Sequence, residues 1–141
     1  MVQNIDHLEK IGSTLNESDD LLLSIVIPCF NDHPHIATSV NSALNQTYVN
    51  KEIIIVDDGS DDGTKRVLNT FESNSVTIIT QSNQGPSAAR NRGIEAAKGK
   101  YVLVLDSDDY FEADFSRKAI ELMECTPRVK IVTCYGRWFD S

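Results

Sequence analysis

Two clusters of aspartates are the residues in this sequence whose type and spacing best suit chemistry. Asp57 and Asp58 follow the hydrophobic stretch EIIIV, and Asp106, Asp108 and Asp109 follow the stretch YVLVL. Like charges a few ångströms apart disfavour joint ionisation unless a cation or hydrogen-bond donors compensate. Carboxylate oxygens suit Mg2+ or Mn2+, which bind one or two carboxylates together with substrate phosphates. The clusters therefore predict a site where an acidic protein binds an anionic nucleotide with a divalent metal.

A helix expected to begin near Pro86 adds groups that bind phosphate. The residues after Pro86 are rich in Ala and Arg, and Gly99 lies just past the end of this segment, as is typical of a capped helix. The backbone N–H groups at a helix N-terminus favour anions. Arg90 and Arg92 suit phosphate recognition, although both equally fit a solvated helix face.

The elements that must position these residues alternate between strand and helix. Short runs of Ile, Val and Leu predict buried strands, and apolar residues at helical spacing predict the helices between them. This alternation predicts an α/β fold with a mostly parallel sheet and helices on both faces. Ligands of such sheets bind beyond the carboxyl ends of the strands, where both aspartate clusters lie. The predicted strands cover residues 21–27, 52–56, 76–80, 101–105 and 130–134, and the predicted helices cover residues 36–44, 61–71, 87–98 and 113–125.

Length and charge limit the classes of protein to consider. The 141 residues suit one domain, in which residues 1–20 form a polar leader and residues 21–141 the folded part. Lys and Arg number 13 against 21 Asp and Glu, which gives a net charge of -8. A surface this acidic repels nucleic-acid phosphates, so we expect no nucleic-acid partner.

Cysteine usage and hydrophobic patterning indicate the compartment. Cys29, Cys125 and Cys134 are too few and too scattered for a disulfide framework or a zinc site. The longest apolar stretch, residues 21–30, is roughly half the length of a membrane span, and no signal peptide is recognisable. A cytoplasmic location is therefore expected.

Four stretches of the sequence resemble the family-2 glycosyltransferases of GT-A fold. They match in order, and together they span most of the chain after residue 20. The resemblance implies a Rossmann-like nucleotide-diphospho-sugar transferase fold that is C-terminally incomplete. The stretches are SIVIPCFN at residues 24–31, ALNQTY at 43–48, EIIIVDDGSDDGT at 52–64 and NQGPSAARNRGIEAAKGKYVLVLDSDDY at 83–110.

The resemblance also implies roles for individual residues. In the family, the aspartate matching Asp58 hydrogen-bonds the base, and the loop holding Pro28 and Phe30 borders the nucleoside. The D-x-D aspartates matching Asp106 and Asp108 meet the ribose and the metal, Mg2+ or Mn2+, with Asp108 as the metal ligand. The complete set of expected nucleotide-sugar-binding residues is Pro28, Phe30, Asn31, Asp57, Asp58, Arg90, Asp106 and Ser107.

The activity that the resemblance implies is inverting transfer of a sugar from a nucleotide diphosphate sugar, with uridine as the expected base, to an acceptor hydroxyl. The expected acceptor is a carbohydrate or a lipid-linked molecule of cell envelope polysaccharide biosynthesis. Only the donor half is matched, so the general base is expected beyond Ser141. Membrane association through parts outside this chain and assembly into a homo-oligomer are left open.

Rival classes fit parts of the same pattern. A nucleotide-binding module without turnover needs only the donor half. A receiver-like signalling domain also has an aspartate pair after one strand and an aspartate after a later one. That interpretation leaves the strand at residues 21–27 without a role, and no lysine ends a further strand. A dehalogenase-like phosphatase would place its D-x-D pair after the first strand rather than the fourth.

Structural roles also fit several of these residues. Asp57 and Asp58 precede a glycine, so they suit a strand-to-helix turn. His33 and His35 flank a proline, which favours a surface loop rather than a metal site. Cys29 has no evident base nearby, which favours a small apolar wall over a nucleophile.

Overall fold

The computed structural model describes residues 21–73 and 75–133. The polar leader at residues 1–20 and Cys134 lie outside the described residues. Strands and helices alternate in this part of the chain, as predicted. The strands are β1 (Leu23–Cys29), β2 (Lys51–Asp57), β3 (Val76–Thr80) and β4 (Tyr101–Val104), and the helices are α1 (Ile36–Leu44), α2 (Asp62–Asn69), α3 (Pro86–Ala96) and α4 (Phe115–Cys125).

The four strands form one parallel sheet in the order β3-β2-β1-β4. This confirms the predicted α/β class with a parallel sheet. The chain moves outward from β1 to β2 and β3, then returns to the other side of β1 for β4. Crevices form where the strand order reverses in this way, so the ligand edge is expected between the carboxyl ends of β1 and β4.

The larger core packs on one face of the sheet. Side chains alternate between faces along a strand, so odd-numbered residues of β1 and β2 share this face. Helices α1, α2 and α4 cover it, each with an apolar stripe. Its fully buried members include Ile25, Ile27, Ile53 and Ile55 from the sheet and Ile36, Val40, Leu68 and Ile120 from the helices.

Helix α3 covers the opposite face at close range. Ala89 packs with Ile54 and Val56, and Gly93 faces Val26. A Cβ atom on Gly93 would lie 2.2 Å from Val26 Cγ1, so only glycine allows the helix to approach this closely. Helices therefore lie on both faces, and α3 is held tightly against the strands that carry the site.

Strand β1 has the predicted length but lies two residues later than predicted, because it begins at Leu23 and continues through Pro28 to Cys29. Successive residues of a parallel strand turn their backbone groups toward opposite neighbours. Val26 accepts a hydrogen bond from Leu105 N at 3.0 Å on the β4 side, so Pro28 also turns toward that side. β4 has already ended at Val104, so the missing N–H of Pro28 leaves no ladder hydrogen bond unmade.

The predicted fifth strand at residues 130–134 is wrong over residues 130–133, which form neither strand nor helix. Ile131 is 80% exposed, whereas the prediction buried it in the sheet. The alternating hydrophobic pattern there is short, and such patterns do not form a strand without a neighbour to pair with. In the described residues, no helix is long and apolar enough to cross a membrane.

Candidate nucleotide-binding site

A cleft of about 740 Å³ opens at the carboxyl edge of the sheet, at the expected reversal of strand order. It is walled by the segments that follow β1, β3 and β4 and by the first turns of α3. Eight of the nine residues expected from the sequence line it. These are Pro28, Phe30, Asn31, Asp58, Arg90, Asp106, Ser107 and Asp108.

The ninth residue, Asp57, lies outside the cleft wall. Its side chain is buried at the end of β2, where Oδ1 accepts a hydrogen bond from Ser60 N at 2.9 Å. Its backbone carbonyl accepts another from Gln81 N at 2.9 Å. Asp57 therefore fixes the turn after β2 and the start of the β3–α3 loop, which is the structural role that an aspartate before a glycine often takes.

Asp58 is 2% exposed, and its carboxylate accepts three hydrogen bonds. Oδ1 accepts from Gln81 Nε2 at 2.8 Å and from Gln84 N at 2.9 Å, and Oδ2 accepts from Gly85 N at 2.8 Å. Burial by itself opposes the charged form, but the hydrogen bonds from Gln81, Gln84 and Gly85 outweigh it and lower the pKa of Asp58. The carboxylate thus stays ionised and anchors the β3–α3 loop.

The β3–α3 loop adds residues to the cleft that the sequence did not single out, chiefly Asn83 and Gly85. The loop lies directly on Gly59, which has φ 79°. A Cβ atom there would lie 3.0 Å from Asn83 N. Gly59 therefore both makes the turn after β2 and leaves room for the loop that walls the cleft.

The segment after β1 is fastened to the turn after β2 through Asn31. Asn31 N donates to Ser60 Oγ at 3.0 Å, and Asn31 Oδ1 accepts from Asp61 N at 2.7 Å. Asn31 has φ 52°, a left-handed conformation that asparagine tolerates better than most residues. Phe30 beside it is 46% exposed, so a large aromatic face is open toward the cleft.

The D-x-D segment forms the opposite wall. Asp106 Oδ1 accepts a hydrogen bond from Arg90 Nη2 at 2.7 Å, which joins the segment to α3. Burial raises the pKa of Asp109, and the neighbouring carboxylates of Asp108 and Asp106 raise it further. Negative charge is therefore concentrated at this end of the cleft.

Arg92 does not reach this cleft, although the sequence suggested phosphate recognition for both Arg90 and Arg92. Residues two positions apart on an α-helix lie about 200° apart around its axis. Arg92 accordingly lines a separate depression, formed by α3 together with residues 80–84 at the end of β3. The phosphate role expected for Arg92 has no support in this geometry.

His35 lies in an exposed loop, as expected, and it also lines the cleft. Its Nδ1 lies 2.8 Å from Asp32 Oδ1, and its side chain is 62% exposed. No pattern in the sequence marks His35, because its position follows from how the loop after β1 folds back along the cleft.

Cys29 also borders the cleft but is buried. Burial raises the pKa of its thiol to about 12, and the charges of Asp32 and Asp57 act in the same direction. The thiolate that a nucleophile needs is therefore scarce, and Cys29 is an apolar wall as predicted.

A divalent metal fits the D-x-D end of the cleft when the phosphates of a bound ligand supply part of its coordination. In residues 21–73 and 75–133, no three His, Cys, Asp or Glu side chains converge as a metal cage. Mg2+ and Mn2+ do not need one, because they retain waters and take one or two carboxylates together with substrate phosphates. Asp106 and Asp108 supply carboxylates of this kind at the cleft wall.

Known proteins share both the sequence and the fold. The chain is 39% identical over 105 residues to an uncharacterized glycosyltransferase of Haemophilus influenzae, covering 72% of this chain and 42% of that protein. It is 40% identical over 119 residues to the UDP-Glc:alpha-D-GlcNAc-diphosphoundecaprenol beta-1,3-glucosyltransferase WfaP of Escherichia coli, covering 84% of this chain and 46% of that protein. The chain thus spans less than half the length of these relatives.

A solved structure agrees with this relationship. The complex of S. aureus TarS with UDP-GlcNAc superposes with a TM-score of 0.71 at 25% identity, over 86% of this chain and 37% of that one. This likeness confirms the GT-A, Rossmann-like fold. The sequence profile of glycosyl transferase family 2 matches residues 24–140. The chain is therefore a member of glycosyl transferase family 2.

Proposed function

We propose that the cleft binds a nucleotide diphosphate sugar, and that the protein transfers the sugar to an acceptor hydroxyl with inversion. The observation that carries this proposal is the composition of one cleft. An ionised, buried aspartate lies on one wall, a helix N-terminus lies beside it, and the D-x-D carboxylates form the other wall. These three features match a base, a diphosphate and a shared metal, respectively.

The Asp58 end is proposed to bind the base. An ionised carboxylate only accepts hydrogen bonds, so it selects a base edge that presents an N–H group. Three acceptor positions are already used by the protein, which leaves room for one more bond from a ligand. The N3–H of uracil fits this requirement. UDP in the TarS complex and UDP-Glc in the name of WfaP support uridine as the base.

The D-x-D end is proposed to bind the ribose and the diphosphate. Asp106 would meet the ribose, and Asp108 would hold Mg2+ or Mn2+ together with phosphate oxygens. When bound, the metal stabilises the negative charge that develops on the departing diphosphate. Arg90 and the first turn of α3 place positive charge and N–H groups on the same side. Ser107, between the two aspartates, lines the same wall.

Inversion follows if the acceptor hydroxyl attacks the anomeric carbon from the side opposite the diphosphate, in a single displacement. The base that removes the hydroxyl proton is not assigned to any described residue. The diphosphoundecaprenol acceptor in the name of WfaP supports a lipid-linked acceptor and a role in cell envelope polysaccharide synthesis. We therefore propose that the reaction takes place in the cytoplasm at the membrane surface.

Isothermal titration of the full chain with UDP tests the donor site. We expect Mn2+ to strengthen UDP binding and a chelator to weaken it, and UDP to bind better than ADP. Asp108→Asn should weaken binding in Mn2+ by at least about tenfold, because a lost charge-assisted contact is worth about 1.5–3 kcal/mol and 1.4 kcal/mol is tenfold.

The matched control is Glu72→Gln, which removes one negative charge at an exposed position outside the cleft. Its UDP affinity should equal that of the unaltered chain. A folded chain that binds no nucleoside diphosphate with or without Mn2+ would refute the proposal. Equal losses in Asp108→Asn and Glu72→Gln would remove Asp108 from the site.

A further inference from the structure

The segment that carries the D-x-D aspartates has no regular structure of its own. Residues 105–114 lie between β4 and α4 and form neither strand nor helix. Backbone N–H and C=O groups that leave water need partners elsewhere. A segment that must hold carboxylates at fixed positions therefore depends on other parts of the chain for its shape.

Gln46, two residues after the end of α1, supplies a partner to this segment and another to the start of α4. Its side chain is 3% exposed, and Nε2 donates to Glu112 O at 2.9 Å and to Ser42 O at 3.1 Å. Its Oε1 accepts from Ser116 N at 3.0 Å. Asp114, the residue that precedes α4, makes no side-chain capping hydrogen bond. Gln46 Oε1 therefore caps α4 from another part of the chain, while Nε2 of the same amide holds Glu112 O in the preceding segment.

Two serines of α1 hold the same segment nearer to the aspartates. Ser42 Oγ accepts from Phe111 N at 3.2 Å, and Ser39 Oγ donates to Asp106 O at 3.2 Å. Ser39 and Ser42 are one helical turn apart, so they share a face of α1 with the end where Gln46 follows. Thr47 N adds a hydrogen bond to Ala113 O at 2.7 Å.

We infer that Gln46 is a positioning residue for the D-x-D segment: with Ser39 and Ser42 it fixes residues 106–116 against α1, and it thereby sets the metal-dependent part of donor affinity. Gln46 does not line the cleft, so it acts through the segment rather than on the ligand. The effect on donor affinity rests on the proposed function, but the hydrogen bonds that hold the segment against α1 do not depend on any ligand. It also gives a role to the ALNQTY stretch, which holds no cleft residue.

Hydrogen–deuterium exchange of the full chain, without ligand, tests directly whether these hydrogen bonds hold the segment against α1. In Gln46→Leu, which keeps the bulk and removes the amide, the Ser116 amide and residues 106–113 should exchange faster. Ser42→Ala should have the same effect at Phe111, and it keeps the test informative if Gln46→Leu does not fold. Exchange rates in this segment that match the unaltered chain in both variants would overturn the inference.

Titration with UDP then tests the functional consequence. Partners that orient metal ligands typically change metal-dependent affinity by about 10-fold to 100-fold when removed. We expect Gln46→Leu to lose about tenfold of UDP affinity in Mn2+ and to change UDP affinity in chelator by less than about twofold. A proportionate loss under both conditions would show a general structural effect and would overturn the positioning role.

Tyr48→Phe is the matched control. Tyr48 is 1% exposed in the same stretch, and its hydroxyl donates to Leu21 O at 2.5 Å, away from the D-x-D segment. The Tyr48→Phe variant loses a buried hydrogen bond, yet it should keep the Mn2+-dependent gain in UDP affinity. If the unaltered chain binds no nucleoside diphosphate, the proposed function fails, while the exchange measurement still decides whether Gln46 holds the segment against α1.

Discussion

Gly93→Ala probes the close packing that holds α3, and with it Arg90, against the sheet. The added Cβ would lie 2.2 Å from Val26 Cγ1 and 3.2 Å from Val56 Cγ2. Ordinary carbon contacts are about 3.5–4.0 Å, so the shortfall at Val26 is at least about 1.3 Å. Val26 cannot retreat easily, because it is fully buried in a strand paired on both sides. The helix must therefore move away from the sheet.

The magnitude of the effect follows from two opposing contributions. Overpacking a buried contact costs about 1–3 kcal/mol, and an overlap this large belongs at the upper end of that range. Alanine is favoured over glycine in a helix interior by about 1 kcal/mol, which offsets part of this cost. We expect the free energy of unfolding to fall by about 2 kcal/mol, which for a chain of this size lowers the midpoint of thermal unfolding by about 8 °C.

Urea unfolding followed by circular dichroism measures this, and a double-mutant cycle identifies the cause. Asn91→Ala, at an exposed position of the same helix, is the control and should not destabilise the chain. Val26→Ala removes the methyl group that the new Cβ would overlap most, Cγ1 at 2.2 Å, so the double variant should be more stable than the sum of the single effects by about 1 kcal/mol. Strict additivity, or a Gly93→Ala variant as stable as the unaltered chain, would refute the reasoning.

Two further predictions follow from the charge states of the site. Hydrogen bonds lower the pKa of Asp58 in the folded chain, although burial acts in the opposite direction. The contribution of the ionised carboxylate to stability is therefore complete above the unfolded pKa of about 3.9, and it is lost as the pH falls through the lower folded pKa. The urea concentration at the unfolding midpoint should decrease as the pH is lowered below about 5, and it should decrease less in Asp58→Asn. Identical pH profiles for the two chains would contradict this role. Burial, with the charges of Asp32 and Asp57, raises the Cys29 thiol pKa to about 12, whereas Cys125 is exposed. Iodoacetamide at pH 8 should therefore label Cys125 before Cys29, and peptide mass mapping that finds both labelled at the same rate in the folded chain would contradict the burial of Cys29.

The sequence predicts the fold and most of the cleft because parallel strands bring their carboxyl ends to one edge. Once β1, β2 and β4 are recognised, Pro28, Asp58 and Asp106 must lie near each other, and the structure places them around one cleft. The order of the strands within the sheet did not need to be known for this. The match of eight residues out of nine thus reflects topology more than local detail.

The differences arise where side-chain direction or tertiary contact decides the outcome. Asp57 is the last residue of β2 and Asp58 follows it, and of the two side chains only that of Asp58 reaches the cleft. Helical periodicity, about 200° over two residues, separates Arg92 from Arg90 on α3. The roles of Gln46 and His35 depend on loops folding back onto the sheet, which no periodicity in the sequence encodes.

The two ends of the cleft differ in how much must change when a ligand binds. At the Asp58 end, the carboxylate is buried and holds three N–H donors, so a ligand would add a fourth bond to a structure that is already formed. At the other end, Asp106 is engaged by Arg90 in a pair whose side chains are 44% and 36% exposed. Ion pairs this exposed are worth about 0–1 kcal/mol, so under the proposed function a ribose hydroxyl would replace Arg90 at little cost and leave the guanidinium free for phosphate. Asp108 would hold the metal that neutralises phosphate charge at the same end, so donor binding would change the contacts of the D-x-D end more than those of the Asp58 end.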